Sequence, residues 1–194
     1  MGIEQDVDGR RERFRSALAA NPDDMSVFRK AVLYPAPFAI GEDDAFDLAH
    51  VVGDRWGVHP NRDIYLVGSA QLGFSISPSG HKRWRAFGDQ SDIDLAIVSE
   101  RLFEEFWNAL DIYISRPTSW DRRSRCEKSL ASGWIRPDLL PTEMADDWFG
   151  FFRELQRSRL YGGGVKIAAG IYHSMGFLER YQAGAIRECR EATK

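Results

Sequence analysis

Cysteine is nearly absent from this chain of 194 residues: Cys126 and Cys189 are too few and too far apart for a disulfide framework, and neither has a partner at metal-ligand spacing. That scarcity predicts a reduced, cytoplasmic protein. Long apolar runs are missing too, since nothing approaches the roughly eighteen consecutive apolar residues of a membrane span. The N-terminus carries Glu4, Asp6 and Asp8 where a leader would carry a basic stub and an apolar stretch, so neither secretion nor membrane insertion is expected. Charge of one sign is scarce as well: 26 basic against 29 acidic side chains leave a net charge of -3, which excludes a wholesale polyanion-binding surface. Any nucleotide site must therefore be local. His50, His59, His81 and His173 are scattered without zinc-ligand spacing, and zinc is not expected. Gly162-Gly163-Gly164 lacks the Lys-Ser/Thr ending of a phosphate loop and reads as a hinge, while the turn at Ser69 lacks the Gly-x-Ser-x-Gly pattern of a hydrolase nucleophile.

What is present is an ordinary globular composition, with 43% hydrophobic and 12% aromatic residues, enough for one domain over 1–194. Residues 1–60 read as a helical lead-in. Ile3, Val7, Phe14 and Leu18 recur at helical spacing until Asn21-Pro22, a short helical stretch covers Met25–Leu33, and Phe46, Leu48, Val52 and Trp56 mark an amphipathic helix. A core over 61–141 begins with the β-rich run Asp63–Val67, which ends abruptly at Gly68-Ser69. A long loop over 73–91 follows, carrying the basic-aromatic group Lys82-Arg83-Trp84-Arg85. Strand composition returns at Asp92–Val98, a helix is expected from Glu100 to Tyr113, and Gly133–Pro141 reads as a short extended element. The polar stretch 116–129 has no legible period. Residues 142–194 form a helix-strand-helix extension: Met144, Trp148, Phe151, Phe152 and Leu155 repeat at helical intervals, Val165–Tyr172 alternates as a half-buried strand, and a terminal helix carries Leu178 and Ile186.

The chemistry concentrates in Ser91-Asp92-Ile93-Asp94-Leu95. Alternation along a strand puts Asp92 and Asp94 on one face and Ile93 and Leu95 on the other. Two carboxylates about 6–7 Å apart repel by about 2–3 kcal/mol at an effective dielectric of about 20, and a divalent cation relieves that repulsion. Hard oxygen ligands suit Mg²⁺, with Mn²⁺ as an alternative, and two such ions about 3.5–4 Å apart stabilise attacking and leaving oxygens together. Taken alone, an Asp-x-Asp pair also fits a solvated strand edge, and Gly68-Ser69 also fits an ordinary tight turn.

Together, Val67-Gly68-Ser69 after one strand and Gly88 through Val98 leading into the next resemble the nucleotidyltransferase superfamily typified by DNA polymerase β. The likeness covers about residues 63–141 and leaves the lead-in and the C-terminal third outside its motifs. It implies an α+β fold, a small mixed sheet with helices packed on one side, and Mg²⁺-dependent transfer of nucleotidyl groups from a nucleoside triphosphate with release of pyrophosphate. It further implies that Gly68, Ser69 and Ser91 contact nucleotide, that Asp92 and Asp94 bind metal, and that a third carboxylate comes from a neighbouring strand. Asp138 is the candidate, because Asp138-Leu139-Leu140-Pro141 is similar to that strand's ending in oligoadenylate and cyclic-dinucleotide synthases; Asp111 is the reserve. The spacing from Ser69 to Asp92 exceeds that of most relatives, so an insertion is expected at the rim of the site, where Lys82 and Arg83 could grip triphosphate or single-stranded nucleic acid. Small bacterial members resembling this chain often serve anti-phage or toxin–antitoxin systems. The expected product is thus a nucleotide signal or template-independent oligonucleotide. The alternatives are nucleotidylation of a protein or small molecule, a catalytically silent binding module, and an antitoxin-like partner of a protein encoded nearby.

Overall fold

In the computed structural model, which describes residues 3–77, 82–116 and 120–193, the lead-in helices form as their apolar spacing predicts. Helix α1 (Ile3–Ala20) buries Val7, Phe14 and Leu18 along one stripe. Helix α2 (Asp24–Val27) starts where Asp23 accepts from the amides of Met25 and Ser26, and it runs into a π-helical segment, Phe28–Leu33. Helix α3 (Glu42–Trp56) ends at Gly57, and the short α4 (Pro60–Asp63) leads into strand β1 (Ile64–Val67) and the five-residue helix α5 (Gly68–Leu72). Strand β2 (Ile93–Val98) is followed by α6 (Glu100–Ile114), α7 (Arg123–Ala131) and the two-residue strand β3 (Trp134–Ile135). A 3₁₀ turn (Pro137–Leu139), α8 (Thr142–Ser158), β4 (Ile167–Tyr172) and α9 (Met175–Glu191) complete the described chain.

The four strands lie in the order β1-β2-β4-β3; β1 and β3 run antiparallel to their neighbours, and β2 and β4 run parallel. The result is a mixed α+β architecture. Alternation along the strands sorts the side chains onto two faces. Ile93, Leu95 and Ile97 of β2 join Ile167, Ala169 and Ile171 of β4 in one core with α3, α6, α7 and α8, where Trp148 and Leu110 are almost fully buried.

The opposite face is covered as well, which corrects the expectation of helices on one side. Val67, Ala96 and Tyr172 pack into a second core with Val7 and Phe14 of α1, Val27 of α2, Phe28 and Val32 of the π-helical segment, and Leu178 and Ile186 of α9. Ion pairs tie these helices together: Arg29 holds the buried Glu179 with two bonds of 2.6 and 2.8 Å, and Arg190 binds Asp24 at 2.8 Å. The cover leaves a concavity between the end of β1, the length of β4 and the flank of α9. Among the described residues, no helix is long and apolar enough to cross a membrane.

Candidate functional site

The concavity opens where β1 ends and β2 and β4 begin. It has a volume of about 490 Å³, within the range of about 300–1,000 Å³ usual for small-molecule sites, and Gly68, Ser69, Asp94 and Asp138 all line it. Its floor is set by register. Val67 pairs with Asp94 across the antiparallel β1–β2 ladder, and Asp94 pairs with Ala168 across the parallel β2–β4 ladder.

At the end of β1 the backbone turns through Gly68 at φ +66°, a left-handed conformation that favours glycine. A Cβ added there would lie 3.0 Å from Oδ2 of Asp94, so the bend is seated directly on the carboxylate. The turn and the acid therefore converge. Neither the Ser69 hydroxyl nor the Asp94 carboxylate has a hydrogen-bond partner among the described residues. Burial, and then the negative charge of Asp92, push Asp94 up to about 6, with Lys166 pulling the other way.

Asp92, just before β2, has a half-exposed carboxylate that accepts from Lys166 Nζ at 2.6 Å. Backbone pairing sets up that contact, because the amide of Ile93 donates to the carbonyl of Lys166 at 2.8 Å and brings the two residues side by side.

Asp138 lines the same cleft from the 3₁₀ turn after β3, but its carboxylate is gripped by Arg136 through bonds of 3.1 and 2.8 Å. The sheet order corrects the reason for choosing it. The strand beside β2 is β4, and the position on β4 facing Asp94 is Ala168; Asp138 follows β3, one strand further out. Asp111 is exposed on α6, whose buried residues pack against the other face of the sheet.

Ser91 is buried and closes a turn, its amide donating to the Gly88 carbonyl at 2.8 Å and its hydroxyl accepting from the Gly88 amide at 3.2 Å. It does not line the cleft. Nor do Lys82 and Arg83. Trp84 stacks on Phe74 at 5.5 Å, meets Phe14 of α1 edge-on, and carries Arg15 over its ring at 4.6 Å, while Arg83 donates to the carbonyl of Ala192 beyond α9. This aromatic anchor holds Trp84 against α1 and lets Arg83 reach the end of α9. The middle of the loop, 78–81, lies outside the described residues. Its near limb supplies Ser75, Ile76 and Ser77 to the cleft rim.

The far wall is aromatic and escapes the sequence reading. Trp134 stacks on Tyr172 at 5.6 Å with the planes 3° apart, Tyr181 of α9 meets Trp134 at 4.4 Å, and Arg136 lies over the Trp134 ring at 5.3 Å. The Trp134 indole fits only because β4 has a glycine beneath it: a Cβ on Gly170 would stand 2.5 Å from Nε1. Burial pushes the Tyr172 hydroxyl pKa upward.

At the opposite end of the sheet, single ligand atoms of Glu100, Glu104 and His173 come within 4.8 Å of one another. Both carboxylates are exposed, and His173 Nε2 lies 3.7 Å from Glu100, the geometry of a surface ion pair.

No family model, curated protein or solved structure matches this chain.

The donors fit one hard divalent cation at the edge of the cleft: Asp94 lines it with no donor among the described residues, Asp92 does not line it but stands near enough to raise the pKa of Asp94, and the rim has room for phosphate oxygens to complete the shell. The strand beside them adds no third acid, because Ala168 stands there.

Proposed function

We propose that this chain is a Mg²⁺-dependent nucleotidyltransferase that takes a nucleoside triphosphate into the cleft between Gly68-Ser69 and Asp94. The observation that carries the reading is the seating of the Gly68 bend against the Asp94 carboxylate within a nucleotide-sized concavity. A glycine turn admits phosphate to close range, and the Ser69 hydroxyl, without a hydrogen-bond partner among the described residues, offers a donor beside it. Because α5 has only five residues, that support comes from the bend itself and owes little to a helix dipole.

Asp92 and Asp94 would hold the Mg²⁺, which would supply charge neutralisation at the phosphates, while the Gly68 bend and Ser69 position the triphosphate. The oxygen of an acceptor hydroxyl bonds to the α-phosphorus as its proton passes to solvent water, the bond to the bridging oxygen breaks, and pyrophosphate leaves with the electron pair. Asp138 is the remaining carboxylate of the cleft and the proposed third acid, available once Arg136 turns to phosphate. Trp134, Tyr172 and Tyr181 provide a stacking wall for the base. The proposed product is a nucleotide signal or short oligonucleotide of the anti-phage type. Arg83 reaches the Ala192 carbonyl and does not line the cleft, so product analysis is what identifies the acceptor.

A second reading, a nucleotide-binding module without turnover, is favoured by two specific contacts: Lys166 on Asp92, and Ala168 in place of an acid beside Asp94. Incubation with α-labelled triphosphates and Mg²⁺, with products resolved before and after protease, separates the readings. Label in a free nucleotide or oligonucleotide supports the proposal, label on polypeptide redirects it to protein nucleotidylation, and Mg²⁺-independent binding without product supports the silent module.

A further inference from the structure

The charge around the two strand acids is already partly balanced. Lys166 enters from the first turn of chain before β4, and its Nζ stands 2.6 Å from Oδ2 of Asp92. The bond between the Ile93 amide and the Lys166 carbonyl fixes this neighbourhood from the backbone. Asp94 takes no such partner among the described residues and lines the cleft. Arg136 plays the corresponding part on the outer side, with both nitrogens on Asp138. Asp138, which lines the cleft, and Asp92, which stands just outside its lining, thus hold cations that belong to the chain.

We propose, resting on the reading above, that Lys166 is a built-in counter-ion that occupies Asp92 in place of a divalent cation, so that the free protein discriminates against bare metal and loads it together with the triphosphate. A metal ion arriving alone must displace the ammonium from Asp92 and finds only Asp94 uncommitted. A metal–triphosphate complex brings its own phosphate oxygens, needs fewer protein ligands, and offers the displaced ammonium a new anion. Lys166 is on this account a positioning residue that sets the order of loading. A solvent-exposed pair of this kind is worth up to about fivefold in a competing equilibrium.

Mn²⁺ alone, titrated into the full chain without nucleotide and followed by the loss of the free-ion paramagnetic resonance signal, reads this directly. The variant Lys166→Met is expected to bind Mn²⁺ about fivefold more tightly than wild type, Lys166→Arg to return to the wild-type value, and Asp94→Asn to lose the ion in either background. Thermal melting of each variant establishes that it is folded, and an unfolded Lys166→Met is replaced by Lys166→Gln with the same expectation. Mn²⁺ binding that needs Asp94 but is unchanged or weakened without Lys166 overturns the counter-ion and leaves the nucleotidyltransferase reading standing. Mn²⁺ binding indifferent to Asp94 overturns both.

Discussion

Asp94 and Ala168 face each other across the parallel β2–β4 ladder, and this pairing places a methyl group where an acid on the adjacent strand would complete a metal site. Strands stand about 4.8 Å apart, so a carboxylate introduced there would share the cleft floor with Asp94. Ala168→Asp is expected to lower metal-free stability by about 1–2 kcal/mol at pH 7.5, through repulsion between directly opposed like charges. Millimolar Mg²⁺ or Mn²⁺ should recover most of that loss in thermal melts. An equal loss with and without metal would mean that the floor is no metal site.

The raised pKa of Asp94 gives stability a definite pH dependence. The group's folded pKa, about 6, exceeds its unfolded value, so the folded state binds more protons between about pH 4 and 6 and loses stability as pH rises through that window. At neutral pH the ionised group costs up to about 2–3 kcal/mol. Asp94→Asn should therefore stabilise the metal-free protein by about 1–2 kcal/mol at pH 7.5, with the gain fading towards pH 4. Urea denaturation at several pH values tests this; a gain that is flat with pH assigns the effect to something other than the buried charge.

Much of the secondary structure was legible because apolar spacing was strong where the core needed it. Trp148, Phe152 and Leu155 announce α8, and the alternation Ile167, Ala169, Ile171 announces β4. Helix α7 was not legible, since it buries little beyond Cys126 and Ser129 and has no apolar stripe to read. The expected extended element at 133–141 shortens to Trp134–Ile135 because Pro137 opens a 3₁₀ turn. Sheet order is written in no local pattern: only pairing over 74 positions puts Lys166 on Asp92 and inserts β4 between Asp94 and Asp138. The acids and the Gly-Ser bend could be found from spacing, whereas the aromatic wall of Trp134, Tyr172 and Tyr181 exists only after β3, β4 and α9 assemble.

Gly68 combines a left-handed backbone with contact to the acid. Gly68→Ala should cost about 1–2 kcal/mol in backbone conformation, plus the displacement of Asp94 that a Cβ at 3.0 Å demands. The expected signature is a modest fall in melting temperature with at least a tenfold loss of triphosphate affinity by calorimetry. Unchanged affinity would remove the bend from the phosphate site.

Trp134 separates stacking from phosphate contact. Trp134→Ala removes the ring that rests on Tyr172 and Tyr181, and base–aromatic stacking is worth about 1–3 kcal/mol. Affinity for a nucleoside triphosphate should drop about tenfold while affinity for inorganic tripolyphosphate stays the same. Equal losses for both ligands would assign the wall to cleft architecture rather than to base recognition.

In the proposed function, Asp94 and the Gly68-Ser69 bend hold a metal–triphosphate together. Calorimetric titration of ATP, GTP, CTP and UTP into wild type and Asp94→Ala, each with Mg²⁺ and with a chelator, tests it most directly. At least one triphosphate is expected to bind wild type in Mg²⁺, and the heat is expected to vanish both with chelator and in the variant. Binding that survives chelation and the loss of Asp94, or no binding of any triphosphate to the folded wild-type chain, would contradict it.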